Sequence, residues 1–262
     1  LSGNTYTISN VTSGKSCSIT FKSSAPTLYA KLLADKTTRP GARTSFSSVL
    51  TTANTKTLYT STENGTTVYY FAGNATDNWV KFGGFYWRII RTNSDGGVRL
   101  LYHGTSTTAT DAVINTSTAF NATYNNPMYV GYMYGTSGSL VNNRTNTNNS
   151  TIKTYLDNWY QANLLSYTSY MSLDAGFCND RSIASTPNTW HPDDKALGYG
   201  TNETYYGAYN RLRNLNQPQF ACPQTNDLFT TTTSSKGNKA LTYPVGLITL
   251  DEVVYAGGTY DN

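Results

Sequence analysis

The residues of this chain that could carry out thiol chemistry are its three cysteines, Cys17, Cys178 and Cys222. An odd number of cysteines in an oxidising compartment indicates one disulfide and one further sulfur. Because disulfides are rare in reducing compartments, we interpret Cys178 and Cys222 as a bonded pair. Cys17 then has its partner outside residues 1–262. The alternative is a reactive thiol at Cys178, whose pKa Arg181 would lower, although no histidine base lies nearby in sequence.

Metal and acid–base chemistry is limited by the presence of only two histidines, His103 and His191. His191 precedes Asp193 and Asp194, and loop carboxylates are calcium ligands. The Asp-x-Asp-x-Asp-Gly spacing of a calcium loop is missing, so we expect a solvated acidic turn, with calcium as the alternative. We predict no other cofactor. His103 ends a predicted strand and has no identifiable catalytic partner, so we predict that the chain is not an enzyme.

A third kind of chemistry is recognition by aromatic rings and amides. Tyrosine offers a flat apolar face with a hydroxyl, and asparagine offers a donor and an acceptor, which suits sugars and protein partners. Our candidate ligand-binding residues share this character and lie in loops: Tyr124, Tyr129, Tyr132, Tyr134, Asn142, Asn143 and Trp190. The alternative is that these tyrosines pack the loop onto the sheet.

The composition excludes some classes of protein. Charged residues make up 13% of the chain, against roughly 25% in an average soluble domain, and the 22 tyrosines argue for a folded core. The net charge of +4 is scattered, so no basic stripe for nucleic acid is present. No apolar run of about 18 residues occurs, so we expect membrane attachment only through an anchor outside this sequence.

The elements that must position these residues follow from the hydrophobic pattern. Residues 1–25 alternate as the end of a small β domain, and residues 26–64 contain a short helix around Leu28, Leu32 and Leu33 followed by a linker rich in Thr and Ser. Residues 67–103 carry the strongest strand signals. Across Gly83 and Gly84 they predict a hairpin, and a further strand follows to make a three-stranded antiparallel meander.

Later elements are fewer. Residues 104–150 and 179–242 have little periodicity and predict long loops. Apolar residues at helical spacing from Ile152 predict a helix capped by Ser150 or Thr151, with Lys153, Asp157 and Asn158 facing solvent. Residues 243–248 predict an apolar strand, and the pair Thr249 and Glu252 predicts a capping box that starts a short helix ending near residue 257.

Taken as a set, several segments resemble a family of surface-protein domains from Firmicutes and related Bacilli. They are YYFAGN at 69–74, WVKFGGFYWRIIR at 79–91, STIK at 150–153 leading to WY at 159–160, FCNDRS at 177–182 and YPVGLI at 243–248. The resemblance implies an α+β, C-type-lectin-like fold in its formylglycine-generating-enzyme-like form. It would consist of a twisted antiparallel sheet with one or two helices and long loops over residues 65–262, preceded by a small β segment and truncated at its C-terminus.

The fold alone does not carry a function. The oxidation chemistry of the formylglycine-generating enzymes needs free cysteines, and a bonded Cys178 and Cys222 offer none. We therefore expect an extracellular, cell-surface bacterial module for adhesion to a glycan or a protein. The alternative is a structural subunit of a surface layer or extracellular filament, in which the partners are copies of the same chain.

Overall fold

Side-chain alternation in the strand-rich stretch produces the main sheet of the protein. The computed structural model describes residue 13 and residues 26–110, 112–115, 117–122, 129–136, 139–183 and 206–261. Within them an antiparallel sheet of five strands forms. Its strands are β1 (Tyr59–Glu63), β2 (Thr66–Tyr70), β3 (Trp79–Phe82), β4 (Phe85–Thr92) and β5 (Val98–Gly104). Apart from Ser13, the predicted β segment of residues 1–25 lies outside the described residues.

Strand β4 is the centre of this sheet. Arg88 pairs with Trp79 of β3 on one edge and with Leu101 of β5 on the other. Tyr70 of β2 pairs with Arg91 further along the edge that β3 occupies. The predicted hairpin and meander are confirmed, and Gly83 and Gly84 adopt the positive φ angles of +60° and +86° that the tight turn requires.

The segment that we expected to be a linker contains further structure. Strand β1 lies within residues 26–64 and pairs with β2 along its whole length. Before β1, the amide of Leu50 donates to the carbonyl of Gly257 (2.8 Å), and the guanidinium of Arg43 donates to the carbonyl of Val254 (3.0 Å). The Thr- and Ser-rich segment is therefore attached to the C-terminal part of the described chain.

Each of the three longer helices begins after a residue whose side chain accepts from an amide of the first turn. They are α1 (Leu28–Asp35), α3 (Thr151–Asn163) and α5 (Leu250–Ala256), with α2 (Leu140–Asn143) and α4 (Gly207–Tyr209) as shorter ones. Ser150 caps α3, and the predicted capping box of α5 is present. The prediction that Lys153 faces solvent is wrong, since its side chain is 1% exposed. Its ammonium lies 2.6 Å from Asp157 one turn later, which compensates its charge and lets the stem pack.

In the described parts of the loops the strands are short: β6 (Met133–Tyr134), β7 (Asn148–Asn149), β8 (Phe177–Cys178) and β9 (Leu228–Phe229). The apolar strand predicted at residues 243–248 is wrong, because this segment forms no strand. Pro244 has no amide to donate to a ladder, and the amide of Val245 donates to Tyr243 instead (2.8 Å). Val245 and Leu247 still pack against the core, so the apolar pattern reflected burial.

Helix α3 is held against the sheet by buried apolar and aromatic side chains. Tyr160 of α3 and Leu164, which follows the helix, are 0% and 1% exposed and pack against Trp87 of β4. The molecule is therefore α+β, with an antiparallel sheet and a few helices, as the sequence predicts. Among the described residues, no helix combines the length and apolar character needed to cross a bilayer.

Candidate ligand-binding surface

A buried ion pair anchors the loops that surround the candidate residues. The side chains of Arg181 and Asp227 are 1% and 0% exposed, and two guanidinium nitrogens of Arg181 donate to the same carboxylate oxygen at 2.9 and 2.7 Å. The third nitrogen, Nη1, donates to the carbonyl of Met133 (2.9 Å), and Nη2 also donates to the side-chain amide oxygen of Asn146 (2.8 Å). One side chain thus joins residues 133, 146 and 227.

Strands β6 and β7 pair with each other next to this ion pair. Met133 pairs with Asn149, and Tyr134 pairs with Asn148. The hydroxyl of Ser150, which caps α3, also donates to the carbonyl of Tyr132 (2.8 Å). The start of α3 and the segment with the candidate tyrosines therefore have a fixed position relative to each other.

On this support lies a shallow depression of about 550 Å³ between the loop and α3. Tyr129 and Tyr134 form one wall, with ring centroids 5.1 Å apart and planes at 76°. Both rings are partly exposed. The side-chain amide nitrogen of Asn121 donates to the backbone carbonyl of Tyr129 (2.6 Å), which holds Tyr129 in place in this wall. We call this feature the tyrosine depression.

The structure separates the other candidate residues from the tyrosine depression. Tyr132 is 3% exposed and packs against Phe229, and its hydroxyl lies 3.4 Å from the carbonyl of Val245. Burial raises the pKa of this hydroxyl. Asn143 is 1% exposed, and its carbonyl accepts from Gly135 (2.7 Å). Asn142 is exposed but does not line the depression. Tyr132 and Asn143 are therefore buried in the fold and do not line the tyrosine depression.

The remaining candidates fall on residues that the structure does not describe. Tyr124 and Trp190 lie outside the described residues, and so do Cys17 and the acidic segment of His191, Asp193 and Asp194. In the described part of the chain, no group of three or more His, Cys, Asp or Glu residues is placed to hold a metal ion. His103 of β5 lies against the ring of Trp79, with centroids 4.5 Å apart.

Sequence reasoning missed several polar residues that complete the depression. Thr151, Thr154 and Asn158 lie along one stripe of α3, and Asn149 precedes them at the end of β7. The i, i+3, i+7 spacing of Thr151, Thr154 and Asn158 is the signal that could have identified them. Sequence alone predicts a solvated position for Asn158 and a possible cap at Thr151, because solvation, capping and ligand binding all select polar residues.

The disulfide is the predicted one. Cys178 and Cys222 are bonded, with Cα atoms 5.5 Å apart. Because Cys178 is in the bond, the alternative of a reactive thiol at this position is excluded in this structure. A bridge of this kind is typical of proteins that fold in oxidising compartments.

A second buried charge cluster lies under the sheet, at the start of α5. One carboxylate oxygen of Glu252 lies 2.8 Å from Nε of Arg91 and 3.0 Å from Nε of Arg99, and Glu63 also pairs with Arg91 (2.9 Å). Burial alone would raise the pKa of Glu252, but Arg99 and Arg91 outweigh burial and lower it. Burial lowers the pKa of Arg99. Sequence analysis placed these arginines in strands without identifying their partner.

The tyrosine depression has the chemistry of a recognition surface. It combines two aromatic faces with exposed amides and hydroxyls on a fixed support. Rings of this kind stack on apolar faces of a ligand, while Asn and Thr side chains donate and accept hydrogen bonds. Comparisons with protein-family models, with curated proteins and with solved structures find no match to this chain.

Proposed function

We propose that this chain is an extracellular bacterial surface module that binds a glycan through the tyrosine depression, without catalysing a reaction. The observation that carries this proposal is the pair of partly exposed rings, Tyr129 and Tyr134, beside the polar stripe of α3. A sugar ring presents a C–H face to an aromatic ring and hydroxyls to amides, so it matches both walls. An extended peptide would match only part of this surface.

The proposed location outside the cell is supported by the disulfide between Cys178 and Cys222. It is also supported by the low content of charged residues, 13%. In the proposed arrangement, any anchor to the wall or membrane belongs to sequence outside residues 1–262. The finer fold that we propose is C-type-lectin-like, based on the sequence segments that lie in β2 to β4, around Cys178 and at residues 243–248.

A second candidate function is a subunit of a surface layer or filament. Large apolar side chains outside the depression favour it, since Val141, Leu165 and Tyr170 are 78%, 50% and 77% exposed. Contacts between copies would cover such residues. This candidate predicts assembly of the chain with itself, whereas the first predicts a monomer with an external ligand.

The test is a glycan array probed with the purified chain, together with size-exclusion chromatography over a range of protein concentrations. Saturable retention on a defined set of glycans by a monomer would support the first function. Polymers that grow with concentration, in a chain that no glycan retains, would support the second. A monomer that no glycan retains would contradict both proposals.

A further inference from the structure

A second cavity, larger than the tyrosine depression and different in character, lies between the sheet and α3. Its volume is about 990 Å³, at the upper end of the range for small-molecule sites, roughly 300–1,000 Å³. Its lining includes Trp87 and Leu100 of the sheet, Leu156 and Trp159 of α3, and Val245. We call it the apolar groove.

The walls of the apolar groove are mostly aromatic and aliphatic. Trp87, Tyr102 and Trp159 contact one another edge to face, with ring centroids 5.4 to 6.4 Å apart. Ile248 at the groove is 37% exposed. When an apolar ligand displaces water from such a cavity, the free energy of the protein and ligand falls, which favours binding.

Polar groups gather at one end of the groove, where β4 turns into β5. Asn93, Arg99 and Glu252 line this end. Arg99 and Glu252 compensate each other's charge, with Nε and carboxylate oxygen 3.0 Å apart. Asn93 is 6% exposed and has no charge partner, and within the described chain its Oδ1 has no hydrogen-bond partner; Nε of Arg99 has none either, although Glu252 lies close to it. A buried acceptor without a donor costs free energy that a ligand donor would recover.

We infer that the apolar groove binds a small neutral amphiphile. Its apolar body packs against Leu100, Trp159 and Ile248, and a hydroxyl or amide N–H of its head group donates to Oδ1 of Asn93. A neutral head is favoured because the adjacent ion pair is already balanced, so an added charge would be buried without a partner. This inference is independent of the proposed glycan site, which lies on the other side of Tyr155.

The experiment is a titration with N-phenyl-1-naphthylamine, an apolar probe with one N–H donor that fluoresces more strongly in apolar surroundings. We expect saturable enhancement with the wild-type chain. Octan-1-ol should displace the probe, and octanoate or octylammonium should need a concentration roughly tenfold higher, because each brings an unpaired charge. Absence of saturable enhancement, or equal displacement by all three, would overturn the inference.

Variants locate the probe. Leu100→Trp fills the groove from the sheet and Ile248→Trp fills it from a partly exposed position, so a folding defect in the first leaves the second as a test. Each should abolish enhancement, whereas Leu165→Trp, at an exposed position outside the groove, should retain it. Asn93→Leu should weaken probe binding by up to about tenfold. Wild-type affinity in folded Ile248→Trp and Asn93→Leu would show that the probe binds elsewhere.

Discussion

Single buried charged residues hold the described loops and the sheet together. Arg181 supplies five donors and meets Asp227, the carbonyl of Met133 and the amide of Asn146. Glu252 belongs both to the buried charge cluster and to the capping box of α5. One of its oxygens pairs with Arg91 and Arg99, and the other accepts from the amide of Thr249 (3.0 Å). Arg181 thus positions the loops around the tyrosine depression without lining it.

Removing the Arg181 side chain should destabilise the protein strongly. In Arg181→Leu the carboxylate of Asp227 remains buried without its charge partner, which costs about 3–5 kcal/mol in the free energy of unfolding. Urea denaturation measures this loss. Arg213→Leu is the matched control, because Arg213 is 50% exposed and 4.0 Å from Asp261, and a loss below about 1 kcal/mol is expected there. Equal losses in both variants would show that Arg181 is not an anchor.

Glu252 should make the stability depend on pH in the acid range. Its pKa in the folded chain lies below the ordinary value of 4.5. The unfolded chain therefore takes up a proton first as the pH falls, so the contribution of Glu252 is complete above pH 4.5 and is lost as the pH falls towards the folded pKa. Free energies of unfolding at successive pH values from neutral to acid should show this fall, and Glu252→Gln should show less of it. An unchanged pH dependence in the variant would contradict this assignment.

At the scale of elements, caps and turns were the features that sequence predicted best. Ser150 begins α3 and Thr249 begins α5, because a side-chain acceptor for the first free amides is a local property. Gly83 and Gly84 set the β3–β4 turn for a similar reason. The strand predicted at residues 243–248 is wrong, because Pro244 has no amide for a ladder and because a buried loop requires the same apolar residues as a strand.

The capping box offers a prediction at this scale. Thr249→Ala removes the acceptor for the amide of Glu252, which donates to the Thr249 hydroxyl (3.1 Å). We expect a loss of about 1 kcal/mol in the free energy of unfolding, and Thr249→Ser should retain most of the stability. Chemical denaturation of the three proteins in parallel checks this, and a serine variant as unstable as the alanine variant would contradict the cap.

Burial of polar residues was the hardest part of the site to predict. Tyr132 and Tyr134 are two residues apart and equally plausible in sequence, yet one lies in the core and the other lines the depression. Lys153 is buried because Asp157 lies one turn away and the rest of the fold covers it. The carboxylate that Arg91 and Arg99 share belongs to Glu252, which is more than 150 residues later in the chain, and hydrophobic periodicity does not report contacts at that separation.

For the whole molecule, the disulfide connects two loops that are far apart in sequence. Cys178 and Cys222 are separated by 44 residues. The double variant Cys178→Ser with Cys222→Ser should lose about 2–4 kcal/mol in the free energy of unfolding, chiefly because the unfolded chain regains freedom. Thermal or urea unfolding measures it, with wild-type protein under reducing conditions as the matched comparison. Stability equal to that of the oxidised wild type would show that the bridge is dispensable.

The central claim is that the chain binds a sugar at the tyrosine depression, and the most direct test is a calorimetric titration of the glycan retained most strongly on the array. The double variant Tyr129→Ala with Tyr134→Ala removes both aromatic faces and should weaken binding at least tenfold, about 1.4 kcal/mol. Tyr170→Ala removes a ring that is 77% exposed and lies outside the depression, and it should bind as wild type does. Wild-type affinity in a folded double variant would contradict the account.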